Sequence, residues 1–279
     1  MIYLKMFKIS RTMSKNPNIY PHNVFKDKEP DIFVFDRITV LYGNNGCGKS
    51  TILNLMAHKL NLLGKERNNP TLEGLPAVTK PPLEVFTDFV SECDVIFGEN
   101  ESGKELTRVP PKSRYLKSEE ILYEIRKIQQ DSVLEESYIC NHVRNGMNTE
   151  QAKKFRKSSE GGKQLEFFRF AQEKYSNGET TLQLLDDLLE PDNLYLLDEP
   201  EVSLSPQNQV MLADKLNEMA RFLNNQFIIA THSPFMLGTL NAKIYNLDTK
   251  YYKVQKWSEL DNIKYFYHFF ESRKGEFED

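Results

Sequence analysis

Three short stretches carry residue types whose spacing could act on a phosphate. The first, GNNGCGKST at 43–51, fits the pattern G-x-x-x-x-G-K-[ST]. Gly43, Gly46 and Gly48 allow backbone angles that turn successive N–H groups toward one anion, and Asn44, Asn45 and Cys47 fill the positions between them. A helix beginning near Lys49 would add the positive end of its dipole. Lys49 offers a point charge to β- and γ-phosphates, and Ser50, beside Thr51, offers a hydroxyl suited to Mg2+. No partner base for Cys47 is evident, so it reads as a bystander rather than a nucleophile.

The second stretch, LYLLDEPE at 194–201, is an apolar run ending in two acids. On a strand beside the phosphate loop, Asp198 would hold Mg2+ through water and Glu199 would take a proton from attacking water. Adjacent acids also close many ordinary strands; the company of 43–51 gives this pair its weight. Pro200 has no N–H to extend a ladder and stops the strand. Downstream, Ser205 and Pro206 form a normal helix start. The third stretch, FIIATHSPF at 227–235, reads as a buried strand with His232 at its carboxyl end, where parallel sheets bind ligands and where it could donate to a γ-phosphate.

A polar turn, Tyr175-Ser176-Asn177-Gly178-Glu179, opens an amphipathic helix shortly before the acidic strand. Ser176 with Glu179 three residues on would make a capping box. The same Ser176 hydroxyl and Gly178 amide could instead hold an anion.

Elements must position these groups. Residues 1–42 read as strands and turns, 52–63 as a helix, 64–82 as a loop and 83–97 as strand-like. From 113 to about 174 the composition turns charged and helical, which reads as a helical lobe. Beyond it come a helix at 179–189, a strand at 194–198, a helix at 206–223, a strand at 226–231, a short β segment near 243–248 and an aromatic-rich helix at 258–274. Strands alternating with helices predict an α/β fold with a mainly parallel sheet. The expected organisation is one domain over 1–279: a β-rich part with the glycine loop (1–110), a helical lobe ending in the polar turn (about 111–178), and an α/β part with the terminal helix (179–279).

The 279 residues are 39% hydrophobic and 27% charged, ordinary for a globular protein. No run could span a bilayer as a helix, which predicts no membrane association. Cys47, Cys93 and Cys140 are far apart and form no CxxC pair, which argues against a disulfide framework or zinc site and fits a reducing cytoplasm. A net charge of −4 gives no global pull on nucleic acid, though KKFRK at 153–157 could contact phosphates.

Together GNNGCGKS, YSNGE, LYLLDEP, SLS and THS resemble the ATP-binding-cassette (ABC) ATPases, in the soluble branch with the SMC-type and DNA-break-repair enzymes and a group of small bacterial AAA-family ATPases. The resemblance implies a P-loop fold with an N-terminal β-subdomain and a helical lobe, and the cofactors ATP and Mg2+. It makes Glu199 the base and His232 the γ-phosphate sensor, with Ser50 and Asp198 at the metal. It makes Ser176, Gly178 and Glu179 the signature turn, offered to ATP bound by a second copy in a head-to-tail homodimer, with Ser203 and Ser205 in the loop crossing between the two sites. An unidentified protein could dock on the helical lobe. The implied role is a switch in nucleic-acid maintenance or phage defence; an ATP-gated assembly protein or a transporter's ATPase subunit is the alternative. One departure stands out: many cassette ATPases place a metal-coupling glutamine between P-loop and lobe, and no Gln occurs from 52 to 128. Tyr20 and Phe25 stand where an adenine-stacking aromatic could, although core packing suits both better.

Overall fold

The computed structural model describes residues 1–10, 18–29, 32–66, 82–100, 102–118, 188–202 and 204–278. The chain divides into two units, 1–118 with 189–279, and 119–188; the description below is of the first. Its strands are β1 (Leu4–Lys8), β2 (Phe33–Val34), β3 (Ile38–Tyr42), β4 (Asp94–Phe97), β5 (Arg114–Lys117), β6 (Leu194–Asp198), β7 (Gln226–Ala230), β8 (Lys243–Asn246) and β9 (Lys253–Val254). Its α-helices are α1 (Lys49–Lys59), α2 (Pro82–Glu92), α3 (Pro206–Phe222), α4 (Pro234–Thr239) and α5 (Asp261–Ser272).

β3, β6 and β7 are buried at every residue, as strands covered on both faces must be. They lie inside a six-stranded sheet of order β5-β6-β7-β3-β8-β9, parallel throughout except for the β8–β9 pair. A second, antiparallel sheet has the order β2-β1-β4. Gln226, fully buried at the start of β7, fastens the two: its side-chain oxygen accepts from the amides of Tyr3 and Leu4, and its NH2 donates to the Leu4 and Asp36 carbonyls.

The helix after the glycine loop starts at Lys49 and ends at Lys59, earlier at both ends than the expected 52–63. It packs on β5, β6, β7 and α2, and Ile52, Leu53, Leu55, Met56 and Ala57 are all fully buried, so it is apolar around most of its girth rather than along one stripe. α3 has the one-sided pattern, with Leu212, Ala213, Leu216, Met219 and Ala220 inward; Ser205 caps it by accepting from the Asn208 amide, as expected.

Two expectations need correction. The strand-like reading of 83–97 holds only for β4; Pro82–Glu92 is helix α2. Phe86, Phe89 and Cys93, spaced three and four apart, are the residues buried, a helical period hidden among β-branched and aromatic neighbours. Phe86 stacks on Tyr20 and Phe89 on Phe25, so both candidate adenine-stacking rings are engaged in packing. Residues 114–117, read as the beginning of the helical stretch, form strand β5 at the sheet edge. The turn after α1 makes that strand possible. Gly64 has φ +77°, and a Cβ there would lie 2.1 Å from the Tyr115 carbonyl oxygen, so only glycine lets Leu63 pair with Arg114, its amide donating to the Ser113 carbonyl and its carbonyl accepting from the Tyr115 amide. The expected strands at 194–198, 226–231 and 243–248 and helices at 206–223 and 258–274 correspond to β6, β7, β8, α3 and α5.

Candidate functional site

Because β5, β6, β7, β3 and β8 run parallel, their carboxyl ends share one edge, and the chemically active residues stand there. The loop after β3 reaches α1 through Gly46 (φ +81°) and Gly48 (φ +102°). A Cβ on Gly48 would come within 2.7 Å of Val24 Cγ1. The loop carbonyls are not idle: Lys49, buried, donates from Nζ to the oxygens of Gly43 (2.8 Å) and Asn44 (3.3 Å). Asn44 is held from the other side. Its amide donates to both Asp248 carboxylate oxygens (3.0 and 3.1 Å), and its side chain links to Asp248 and to Asn262 of α5. Asn45 and Ser50 are exposed, and Thr51 is half-buried. Burial pushes the Cys47 thiol up, which removes thiolate character and agrees with the bystander reading.

Asp198 ends β6, in register with Lys117 of β5 and Ala230 of β7. The Tyr115 hydroxyl donates to its Oδ2 at 3.1 Å, while Oδ1 is buried with no hydrogen-bond partner. Burial raises the Asp198 pKa, opposed by the hydroxyls of Ser50 and Tyr115. A bare buried carboxylate oxygen near the Ser50 hydroxyl is a donor set that fits an octahedral, oxygen-loving cation such as Mg2+.

Glu199 sits at φ +49°, the left-handed region that side chains seldom occupy, and its amide donates to the Ala230 carbonyl (2.9 Å). That turn aims its carboxylate back across the sheet edge. Glu199 Oε1 is 3.1 Å from His232 Nδ1 and 3.6 Å from Lys49 Nζ. The three residues named in the sequence as cation, base and sensor therefore meet on one oxygen, though 150 residues separate the first two. Lys49 is screened from water, and the Glu199 charge is what compensates it besides the carbonyls.

Sequence reasoning missed several participants. Tyr115 carried no signal in SRYLK, because its role depends on β5 lying beside β6. Lys117 pairs with Glu66, which also accepts from Asn54, at the strand end beside Asp198. No glutamine stands at that strand end among the described residues. Glu201 is buried, and its carboxyl is pushed up to about 7 by burial, with the Thr231 hydroxyl opposing. A third acid in DEPE was a visible hint of it. Ser176, Gly178 and Glu179, together with Ser203 and the KKFRK run, lie outside the described residues.

Residues 112–237, a little under half of the chain, match the family model of the AAA ATPase domain. The glycine loop at 43–51 lies before the matched stretch, which includes β5, β6 and β7. No curated protein matches the chain. Among solved structures, the chain is similar to a Pyrococcus furiosus Smc head domain bound to the C-terminal domain of ScpA, at 15% identity and TM-score 0.47, over 98% of this chain and 100% of that one. It is also similar to the Thermotoga maritima SMC head domain (14%, TM-score 0.40, 88% and 94%) and to cbiO1 of Clostridium perfringens, part of an ABC transporter complex (14%, TM-score 0.45, 98% and 96%). Among the described residues no helix is long and apolar enough to cross a membrane.

Proposed function

We propose that the chain hydrolyses ATP with Mg2+ and works as an ATP-driven switch that closes head to tail with a second copy. The observation that carries this is the meeting of Lys49, Glu199 and His232 at one carboxylate oxygen on the P-loop edge of the sheet. The amides of Gly46 to Thr51 and the start of α1 bind the triphosphate; Lys49 leaves the loop carbonyls for phosphate oxygens. Ser50 and Asp198 would hold Mg2+, which when bound would neutralise charge on the phosphates. Tyr115 donates to Asp198 Oδ2, which would leave Oδ1 for the cation. Glu199 orients the attacking water and takes its proton, while His232 donates to the γ-phosphate and steadies Glu199. Ser176 and the Gly178 amide complete the site of the second copy, so the interface is isologous and both sites close together.

Light scattering of the Glu199→Gln protein with and without Mg-ATP tests this reading. The expected result is a dimer with Mg-ATP and a monomer without; Ser176→Arg should abolish the dimer yet leave nucleotide binding intact. A monomer under both conditions refutes the shared site. The pathway is proposed from the sequence resemblance alone as nucleic-acid maintenance or phage defence in the cytoplasm. Turnover raised by DNA in a salt-sensitive way supports it, and indifference to DNA favours an assembly protein that hydrolysis resets, with its partner on the helical lobe.

A further inference from the structure

The loop after Glu199 closes on itself through a ring of hydrogen bonds that none of the roles above uses. The Leu204 amide donates to the Glu201 carbonyl (3.0 Å). The Thr231 hydroxyl donates to Glu201 Oε1 and accepts from the Ser233 amide (3.0 Å). The Ser233 hydroxyl donates to Gln209 Oε1 (2.5 Å), and the Gln209 NH2 returns to the Leu204 carbonyl (2.9 Å). The ring joins the loop that follows β6, the first turn of α3 and the end of β7. Glu199 precedes it by two residues and is bonded into it, since the Val202 amide donates to the Glu199 carbonyl (3.1 Å). His232 lies inside it, between Thr231 and Ser233.

A buried carboxyl is a costly choice for a loop that an apolar side chain could fill. Glu201 is 4% exposed, and its Oε2 has no hydrogen-bond partner, so the acid is not there to be well solvated. Thr231 Oγ1 has one proton to give and already accepts from Ser233, which leaves Glu201 Oε1 as its acceptor. The directional bond sets the distance between the two loop segments.

We infer that Glu201 is a positioning residue: through Thr231 it locks the loop carrying Glu199 to the segment carrying His232, and so fixes the separation of that pair. The inference rests on the proposed reading of Glu199 and His232 as the hydrolytic pair. Neither Glu201 nor Thr231 touches the nucleotide in this account. Loosening the ring therefore costs turnover rather than ATP affinity, because displacing a reacting group by about 1 Å can cost roughly 10²-fold in rate.

The test is steady-state ATPase kinetics of the full chain, with thermal melts to confirm folding. Glu201→Ala and Thr231→Val should each lower kcat about 10- to 100-fold with KM within about threefold. The double variant should be no worse than the poorer single, as for residues that act as one unit. Glu201→Gln keeps an oxygen in place to accept from Thr231 and should stay within about threefold of wild type; Glu201→Asp keeps the charge but falls short, and should lose about fivefold or more. The last two are mild enough to fold if the others do not. The reverse order, Asp sound and Gln poor, overturns the brace, as do losses confined to KM. A wild type silenced by Glu199→Gln but indifferent to Glu201→Ala and Glu201→Asp overturns the brace alone. A wild type without turnover overturns the hydrolytic pair and the brace with it.

Discussion

The loops after β3 and after β6 both stand at the carboxyl edge of the sheet, and they are built on opposite plans. The loop at 43–48 offers backbone: glycines take positive φ, and a following helix aligns N–H groups. The loop at 199–204 offers side chains. There a non-glycine, Glu199, takes the positive φ itself, and a buried acid, a threonine and a glutamine are spent holding it. A backbone site takes its shape largely from covalent geometry and a few missing Cβ atoms, with Asp248 and Asn262 steadying one residue of it. A side-chain site has rotatable bonds to freeze, and distant residues must freeze them.

That contrast can be broken by experiment, and the largest effect belongs to the side-chain loop. Glu199→Gln should cut turnover by roughly 10²–10⁴, the weight of a general base, while equilibrium binding of ATP persists. Binding lost along with turnover would mean that the two loops do not divide the work. Next in size is a pH effect on stability. Glu201 has its pKa raised from 4.5 to about 7, so the folded chain holds that proton longer than the unfolded chain. Stability is therefore lost as the pH rises through that window, by on the order of 3 kcal/mol in full. Urea unfolding at pH 5 and pH 8 should show wild type losing ground to Glu201→Gln at the higher pH, and parallel behaviour would contradict the shift.

The backbone loop has its own break. Gly48→Ala puts a Cβ against Val24 at φ +102°, which should cost about 1–3 kcal/mol and weaken ATP binding, whereas Glu199→Gln spares it. A melting temperature and nucleotide affinity equal to wild type would show that the glycine is dispensable. The smallest effect sharpens the comparison. Tyr115→Phe takes one hydrogen bond from Asp198 Oδ2 and should cost about 1 kcal/mol of stability, with a higher Mg2+ requirement for turnover. An unchanged Mg2+ titration would separate Tyr115 from the metal site.

The sequence by itself settled what local chemistry can settle. Gly43 to Ser50 announce a glycine turn that opens a helix, because the residues that allow positive φ stand close together in the chain. Ser205 and Pro206 announce a helix start because a cap needs only neighbours three residues away, and the apolar runs at 194–197 and 227–230 announce buried strands by composition. What only the tertiary structure decided depends on pairs far apart in the chain. α2 reads as strand until Phe86 and Phe89 find Tyr20 and Phe25, and β5 is a strand because Gly64 lets Leu63 run beside Tyr115. The Tyr115–Asp198 contact spans 83 residues, and the Glu201–Thr231 contact spans 30. Such contacts leave no local period or motif, because the energy that selects them comes from burial and hydrogen bonding between segments that meet only once the sheet has formed.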